Sequence, residues 1–500
     1  MAVNSEHPSF VKIKPKWVRC RDVAAGGDAV HEAGVDYLPK LKAQRDDDYK
    51  AYNKRATFYN ASWRTISGLV GMLFRKPPKL EIPDQTKPLL EDVNGAGEPF
   101  QLFAQSISEQ ALTTGRVGIL VDSPPAPDGA TIADAERLNL RPRLLTYLCE
   151  SIINWKTGTV NNRNVLTMVV LKETEDVSVD EFESQSEDRW RVLDLTAAPV
   201  VAGENQPAAF QYRQRLFRLK ASVKAKAGDK IAAVDFEQVG EDIYPKIDGK
   251  QMDSIPFVIM GTDDVSPDVD EPPLIDLFDM NLSHYRTTAD YAHGCHFTAL
   301  PTLVLTGFKK ESPNDQIYLG SESAIVSSSP DARAQFVEFS GAGIGALERK
   351  LEREEQQMAI LGARMLESQK AAVESADTHS IQRKGEESML SSVAQSISLG
   401  VTQALKVFTQ WSGQSPEKVK FEINRDFYPR PMDPGMLTAL MSSWQSGAIS
   451  DQVLFENLQQ GEIISADHTL EQEQERTAAR RRELADQEAG GNKGFEDPTE

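Results

Sequence analysis

Five groups of residues in this chain have types and spacings that chemistry requires. Gly341-Ala342-Gly343-Ile344-Gly345-Ala346 follows a predicted strand and opens a predicted helix, where a glycine loop can cradle a dinucleotide pyrophosphate. The helix after it, however, is predicted to run for about six turns at 3.6 residues per turn. No strand bearing a ribose-binding acid follows about 20 residues on, and Glu348 would meet pyrophosphate with the wrong sign. A flexible strand-to-helix turn fits better. His284, His293 and His296, with Cys295, are possible metal ligands, and His293 and His296 can share a helix face. No carboxylate pair or fourth ligand completes a pattern, so no metal is predicted and a polar, subunit-facing helix is the plainer reading. Asp263 and Asp264 with Asp268 and Asp270 form an acidic cluster that reads as a solvated loop. Two basic groups remain: Lys370, His379, Gln382, Arg383 and Lys384, which could touch phosphates, and Lys309 with Lys310, which could touch a partner protein. No phosphate-binding P-loop, H-E-x-x-H or G-x-S-x-G motif occurs. The expectation is a protein with neither catalytic residues nor a cofactor.

The elements that must position these residues lie between Pro272 and Trp411. Pro272 and Pro273 suit a helix's first turn, where an N–H would be unpaired anyway. Leu274, Phe278, Leu282, Tyr285, Ala289 and Ala292 then recur at helical spacing. A second helix is predicted from Ala346 to Gln369, with Leu347, Leu351, Met358, Leu361 and Met365 on one stripe and mixed charge elsewhere. The third helix, 388–411, is the most apolar, with Leu390, Val393, Ile397, Val401, Leu405 and Phe408 in register. Short β-branched or aromatic runs at 302–306, 316–319, 324–326 and 335–339 predict small strands between the first two helices. Residues 371–387 carry little apolar content and predict an exposed loop, long enough to be functional.

Elsewhere the chain reads as α+β. Residues 1–44 predict an arm with little core of its own. Arg45–Phe74 predicts one long helix on an aromatic stripe (Tyr49, Tyr52, Tyr59, Trp63), read as core packing. A helix at 100–113 leads into predicted strands at 118–122, 143–148, 151–155, 165–171, 190–195, 214–219 and 255–260, with a turn at 156–158 and loops at 173–188, 197–208 and 221–230. Val419–Phe427 reads as a strand. Asp433-Pro434 caps a helix at 435–445, Ser450 caps one at 451–459, and 470–487 forms a charged helix before a disordered tail. At 500 residues, two to four substructures are expected at roughly 150 residues each. The net charge of −20 argues against gripping nucleic acid over the whole surface. It suits a wall that repels phosphate and touches it through a few local cations. No stretch approaches the ~18 apolar residues of a membrane span, and Met1–Phe10 lacks a signal-peptide pattern. A cytoplasm-like compartment without membrane contact is therefore expected. Cys20, Cys149 and Cys295 are too scattered for a disulfide framework or zinc ribbon.

The order of elements resembles the stem, clip, stem, tunnel loop and helix of the portal (head-to-tail connector) proteins of tailed bacteriophages. The residues that carry the resemblance are the helix end Ser67–Pro78, Ile255-Pro256-Phe257-Val258, Pro272–Leu277, Asn281–Arg286, Leu300–Leu303 and the late turn Ser446-Gly447-Ala448-Ile449-Ser450. It spans residues 45–460 and rests on order and phrases rather than one diagnostic motif. The resemblance implies a homo-oligomeric ring, typically of twelve subunits, at one capsid vertex of the virion, assembled in the host cytoplasm. Double-stranded DNA would pass through it without sequence specificity during packaging and ejection. ATP hydrolysis would belong to the terminase large subunit. Major capsid and scaffolding proteins and a tail adaptor would be further partners. It implies an α/β wing at 45–271 with 412–432, stem helices at 272–297 and 346–370, a clip at 298–345 carrying Lys309 and Lys310, and a tunnel loop at 371–387. The loop and its border would bring Lys370, His379, Gln382, Arg383 and Lys384 to the DNA channel. A long helix at 388–411 and a helical crown at 433–487 complete the subunit, leaving 1–44 as the arm and 488–500 as the tail. Two alternatives stay open: a nucleotide-binding enzyme using Gly341–Gly345, and another virion structural protein such as a tail or minor capsid component.

Overall fold

The computed structural model describes residues 2–124, 137–160, 162–178, 180–197, 210–220, 233–247, 249–299, 302–307, 329–337, 341, 343–362, 376–425, 427, 432–465 and 468–491; for 233, 299, 302, 376–388 and 485–491 it describes the backbone alone. Contacts divide the chain into two units. The first comprises Met1–Gly71 with Lys79–Ile423, the second Met72–Pro78 with Asn424–Glu500.

The first unit opens with α1 (Pro8–Ala25) and α2 (Gly27–Ala33). His7 caps α1, its Nδ1 accepting the Ser9 N–H at 3.2 Å. Phe10, Trp17, Cys20 and Val23 are fully buried, and the Trp17 indole N–H donates to the Thr114 carbonyl at 2.8 Å. The expected arm is thus a core element. Its apolar residues hold helical spacing, but the lysines, arginines and internal Pro15 between them mask the pattern.

The expected single helix at 45–74 is two: α3 (Asp46–Arg55) and α4 (Ala61–Leu73). Ala56 leaves helical geometry with ψ 129°, and Asn60 restarts the helix by accepting the Trp63 N–H at 2.9 Å. The break resets the phase. Ile66, Leu69 and Leu73 are buried, whereas Tyr59 and Trp63 are exposed, so only part of the aromatic stripe is core.

β1 (Lys79–Glu81) precedes α5 (Phe100–Thr114), which packs on β2 (Arg116–Asp122). β3 (Arg143–Leu148) pairs antiparallel with β2. Next come β4 (Ile152–Val160), β5 (Arg163–Ser178), β6 (Ser184–Ala197), β7 (Phe210–Leu219) and β8 (Phe236–Ile243), a five-stranded antiparallel meander in chain order. β9 (Lys246–Ile247) and β10 (Lys250–Gln251) form a small ladder. β11 (Phe257–Gly261) completes a three-stranded sheet ordered β11-β2-β3. Gly118 in that sheet has no room for a side chain: an added Cβ would lie 2.4 Å from Phe257 and 2.9 Å from Ile152.

Two expectations change here. β4 continues through 156–158, with a register shift against β5 between Lys156 and Thr157, and the chain reverses beside Asn162, whose φ is +61°. Residues 173–188 are mostly strand rather than loop. Their polar side chains pair across the ladder, as in Arg191–Glu173 at 2.6 Å and Lys172–Asp188 at 2.8 Å. Backbone ladder bonds need no apolar residue. The loops expected at 197–208 and 221–230 fall almost wholly outside the described residues.

Then follow α6 (Ile275–Ala299), the hairpin β12 (Thr302–Thr306) with β13 (Arg333–Val337), α7 (Ile344–Leu361) and α8 (Ala376–Trp411). β14 (Lys420–Glu422) closes the unit by pairing with β1. The second unit holds α9 (Pro434–Gln445), α10 (Asp451–Gln460) and α11 (Leu470–Gly491). Asp433 caps α9 through the Gly435 N–H at 3.0 Å, and Ser450 caps α10 through the Val453 N–H at 3.3 Å. The architecture is mixed α+β.

Candidate functional site

Among the described residues, the three long helices hold the singled-out histidines, Cys295 and the His379–Lys384 group. α6 and α7 run antiparallel, and their side chains fix the register. Ser283 donates to Glu354 at 2.6 Å, and Lys350 donates to Thr287 Oγ1 at 2.8 Å. Tyr291 donates to Glu348 at 3.0 Å, a hydrogen bond that pushes its phenol up to about 12 with help from Cys295. Steps of four along α6 meet steps back along α7, so one helix's polar stripe reads the other's. Glu354 is buried in this seam, with one oxygen on Ser283 and Lys350 Nζ at 3.5 Å. Buried polar groups of this kind set register more than they add stability.

The opposite side of α6 is held by the amino-terminal helices. Tyr52 donates to Asp290 at 2.6 Å, Tyr285 to Asn53 at 2.7 Å, and Arg286 to the Tyr37 carbonyl at 2.7 Å. Asn281 accepts from the Ser62 N–H and hydroxyl and donates to the Tyr59 carbonyl. Among the described residues, α7 has no comparable support. Of its 18 residues only Glu354 and Met358 are buried.

α8 is different again. Leu390, Val393, Ile397, Val401, Leu405 and Phe408 are all fully buried. Ser396 donates to the carbonyls of Gly261 and Asp264 at 2.9 and 2.8 Å, and Thr402 exchanges hydrogen bonds with the Phe421 backbone. This helix roofs the three-stranded sheet.

The expected loop at 371–387 is helical from Ala376 onward. Polarity suggested coil, but Ala, Glu, Gln, Arg and Lys propagate a helix well. His379, Gln382, Arg383 and Lys384 therefore sit on the first turns of α8. Lys370, Lys309 and Lys310 lie outside the described residues, as do the strands expected at 316–319 and 324–326.

The glycine loop does not stand in a dinucleotide fold. The strand before it, β13, belongs to a two-stranded antiparallel ladder, not a parallel sheet. Gly341 takes a left-handed φ of +62°, which explains that glycine as a turn residue. Gly343 caps α7.

The histidines do not converge. His284 lies beside Tyr59 and 3.5 Å from Glu355. His293 faces Arg55 at 3.5 Å and the Tyr52 and Phe297 rings. Burial, then Arg55 and His296, lower its pKa. No group of three His, Cys, Asp or Glu side chains among the described residues is placed to hold a metal.

The acidic stretch at 263–270 is tied down rather than freely solvated. Arg116, fully buried in β2, donates to the carbonyls of Pro267 and Asp268 at 2.8 Å each and stacks over Trp155 at 4.2 Å. Burial pushes its guanidinium down to about 10. Asp270 is shifted up by burial and by Asp264 and Asp263. This arrangement escaped sequence reading because nothing local marks a buried arginine in a strand.

Residues 273–412 match a family model described as a domain of unknown function, DUF4055. The match opens just before α6 and closes just after α8. No curated protein matches. Among solved structures, one titled "Neck of empty GTA particle computed with C6 symmetry" aligns at 10% identity, covering 84% of this chain and 95% of that one, with a TM-score of 0.35. Among the described residues no helix is long and apolar enough to cross a membrane.

Proposed function

We propose that the chain is the portal subunit of a tailed-phage-like particle. The observation that carries this reading is α7. It is a helix of 18 residues locked in register against α6, yet it buries only two of them within its own chain. A mixed-charge face held rigidly outward suits a closed ring, where it meets a neighbouring copy on one side and water on the other. The element order of the portal family supports the same reading. In it, about twelve copies form a ring at one capsid vertex. The ring passes double-stranded DNA in and out and itself catalyses nothing, while the terminase large subunit hydrolyses ATP. The hairpin region 298–345, with Lys309 and Lys310, docks terminase and later a tail adaptor. Major capsid and scaffolding proteins surround the rest.

Lys370, His379, Gln382, Arg383 and Lys384 are the proposed contacts to passing DNA. Contacts to phosphate fix position without reading bases, so passage is independent of sequence. The placement of His379, Gln382, Arg383 and Lys384 at the head of a long helix makes the contact stiffer than a free loop. Replacing Arg383 and Lys384 with Ala should leave assembly intact while reducing packaged DNA. Unchanged packaging removes both from the mechanism. Immunogold labelling should place the chain at a single vertex of the particle. Label spread over the shell or along a tail would contradict the assignment.

A further inference from the structure

Two central strands of the five-stranded sheet outrun their neighbours. β4 pairs with β5 only up to Leu171, and β7 pairs with β6 only from Arg189 onward. From Thr174–Asp188 to Ser178–Ser184 the two strands pair with each other alone. This ribbon reaches roughly 20 Å beyond the sheet at about 3.4 Å per residue.

Nothing in the ribbon favours folding for its own sake. An isolated two-stranded hairpin is marginal in water, and this one has no core. Ser186 donates to Asp176 at 2.6 Å, and Lys172 and Arg189 pair with Asp188 and Glu175 at its base. From Thr174 to Asp188 the sequence has seven acidic residues and no Lys or Arg. Glu175 stands directly across from Glu187, a like-charge pairing that costs stability. At the tip, Asp180 Oδ1 accepts the N–H groups of both Phe182 and Glu183 at 2.8 Å. That turn holds Phe182 outward, 92% exposed. A large aromatic ring held out at the tip of a projection suits an anchor residue.

We infer that this ribbon is a docking finger for a basic protein surface, with Phe182 entering an apolar cleft and the flanking carboxylates meeting the Lys and Arg around it. The charge chooses the partner. Glu175 and Asp188 are paired with Arg189 and Lys172; the other five carboxylates repel phosphate, which rules against nucleic acid and anionic lipid. A second copy of a chain with net charge −20 is a poor electrostatic match. The occupant is therefore a different protein with a positive face. This inference does not depend on the ring.

The test places a photoreactive benzoyl-phenylalanine at position 182 of the full chain in its native host, with and without Glu181→Lys and Glu183→Lys. The linked peptides are then sequenced. The expected result is adducts on one surface of another protein, in peptides rich in Lys and Arg around apolar residues. Charge reversal should cut the yield about tenfold, since it turns complementary charges into repulsive ones. The ribbon is exposed, so the reversed chain should melt where the parent does. Adducts on a second copy, scattered adducts, no adducts, or a yield unmoved by charge reversal would overturn the proposal.

Discussion

α7 and α8 are neighbours in sequence and opposites in environment. α8 buries an unbroken stripe from Leu390 to Phe408 against the sheet and β14, while α7 buries two residues and exposes most of its charge. Both have helical apolar spacing, so spacing alone does not tell a roof from a strut. The difference lies in the other faces. α8 carries Ser, Thr, Ala and Gly between its large residues, and these let it approach a sheet closely. α7 carries Glu, Arg and Lys at almost every other position, and these need water or a partner.

Substitutions should separate the two helices sharply. Phe408→Ala removes a fully buried ring from α8 and should cost about 3–5 kcal/mol in urea unfolding, the usual range for a large-to-small change in a core. A loss below about 1 kcal/mol would mean that α8 is not the roof described. Glu354→Ala, at the only buried charge on α7, should cost about 1–3 kcal/mol, because the half-buried Ser283–Glu354 hydrogen bond is lost. Glu354→Gln, which keeps an acceptor for Ser283, should recover part of that.

The amino terminus offers a smaller, pH-dependent effect. Burial, then Arg116, lower the His7 pKa, and its Nδ1 must be unprotonated to cap α1. The folded state therefore binds the proton less readily than the unfolded state. The contribution is complete above the unfolded value of about 6.5 and is lost as pH falls through the lowered folded value. Melting temperature should drop between pH 7.5 and 5.5, and His7→Asn should flatten part of that slope. An unchanged slope would remove His7 from the cap. The smallest effect is expected on the outer face of α7. Glu352→Ala with Arg353→Ala should change chain stability by no more than about 0.5 kcal/mol. The same pair should weaken assembly if that face meets a neighbour.

The sequence disclosed the strong periodicities and the local caps. α5, α6, α8 beyond residue 388, and the caps Asp433 and Ser450 could all be read from residue type and spacing. It failed where polarity reads as loop. The ribbon at 173–188 and the start of α8 are polar yet regular, because backbone hydrogen bonds hold them without an apolar stripe, joined in the ribbon by charge pairs. It failed again where contacts are distant in the chain. Trp17 against Thr114, Arg116 against Pro267, and Tyr52 against Asp290 each join segments that no local pattern links. Of the candidate contacts, the sequence pattern places His379, Gln382, Arg383 and Lys384 in a loop, whereas the structure carries them on a helix.

The central claim is that α7 is exposed in one copy because another copy covers it. Native mass spectrometry of the purified full chain, with negative-stain images of the same sample, tests this most directly. The account predicts a closed ring of about twelve copies with a central opening wide enough for a DNA duplex, about 20 Å across. A chain that stays monomeric at high concentration, or assembles without a central opening, would contradict it.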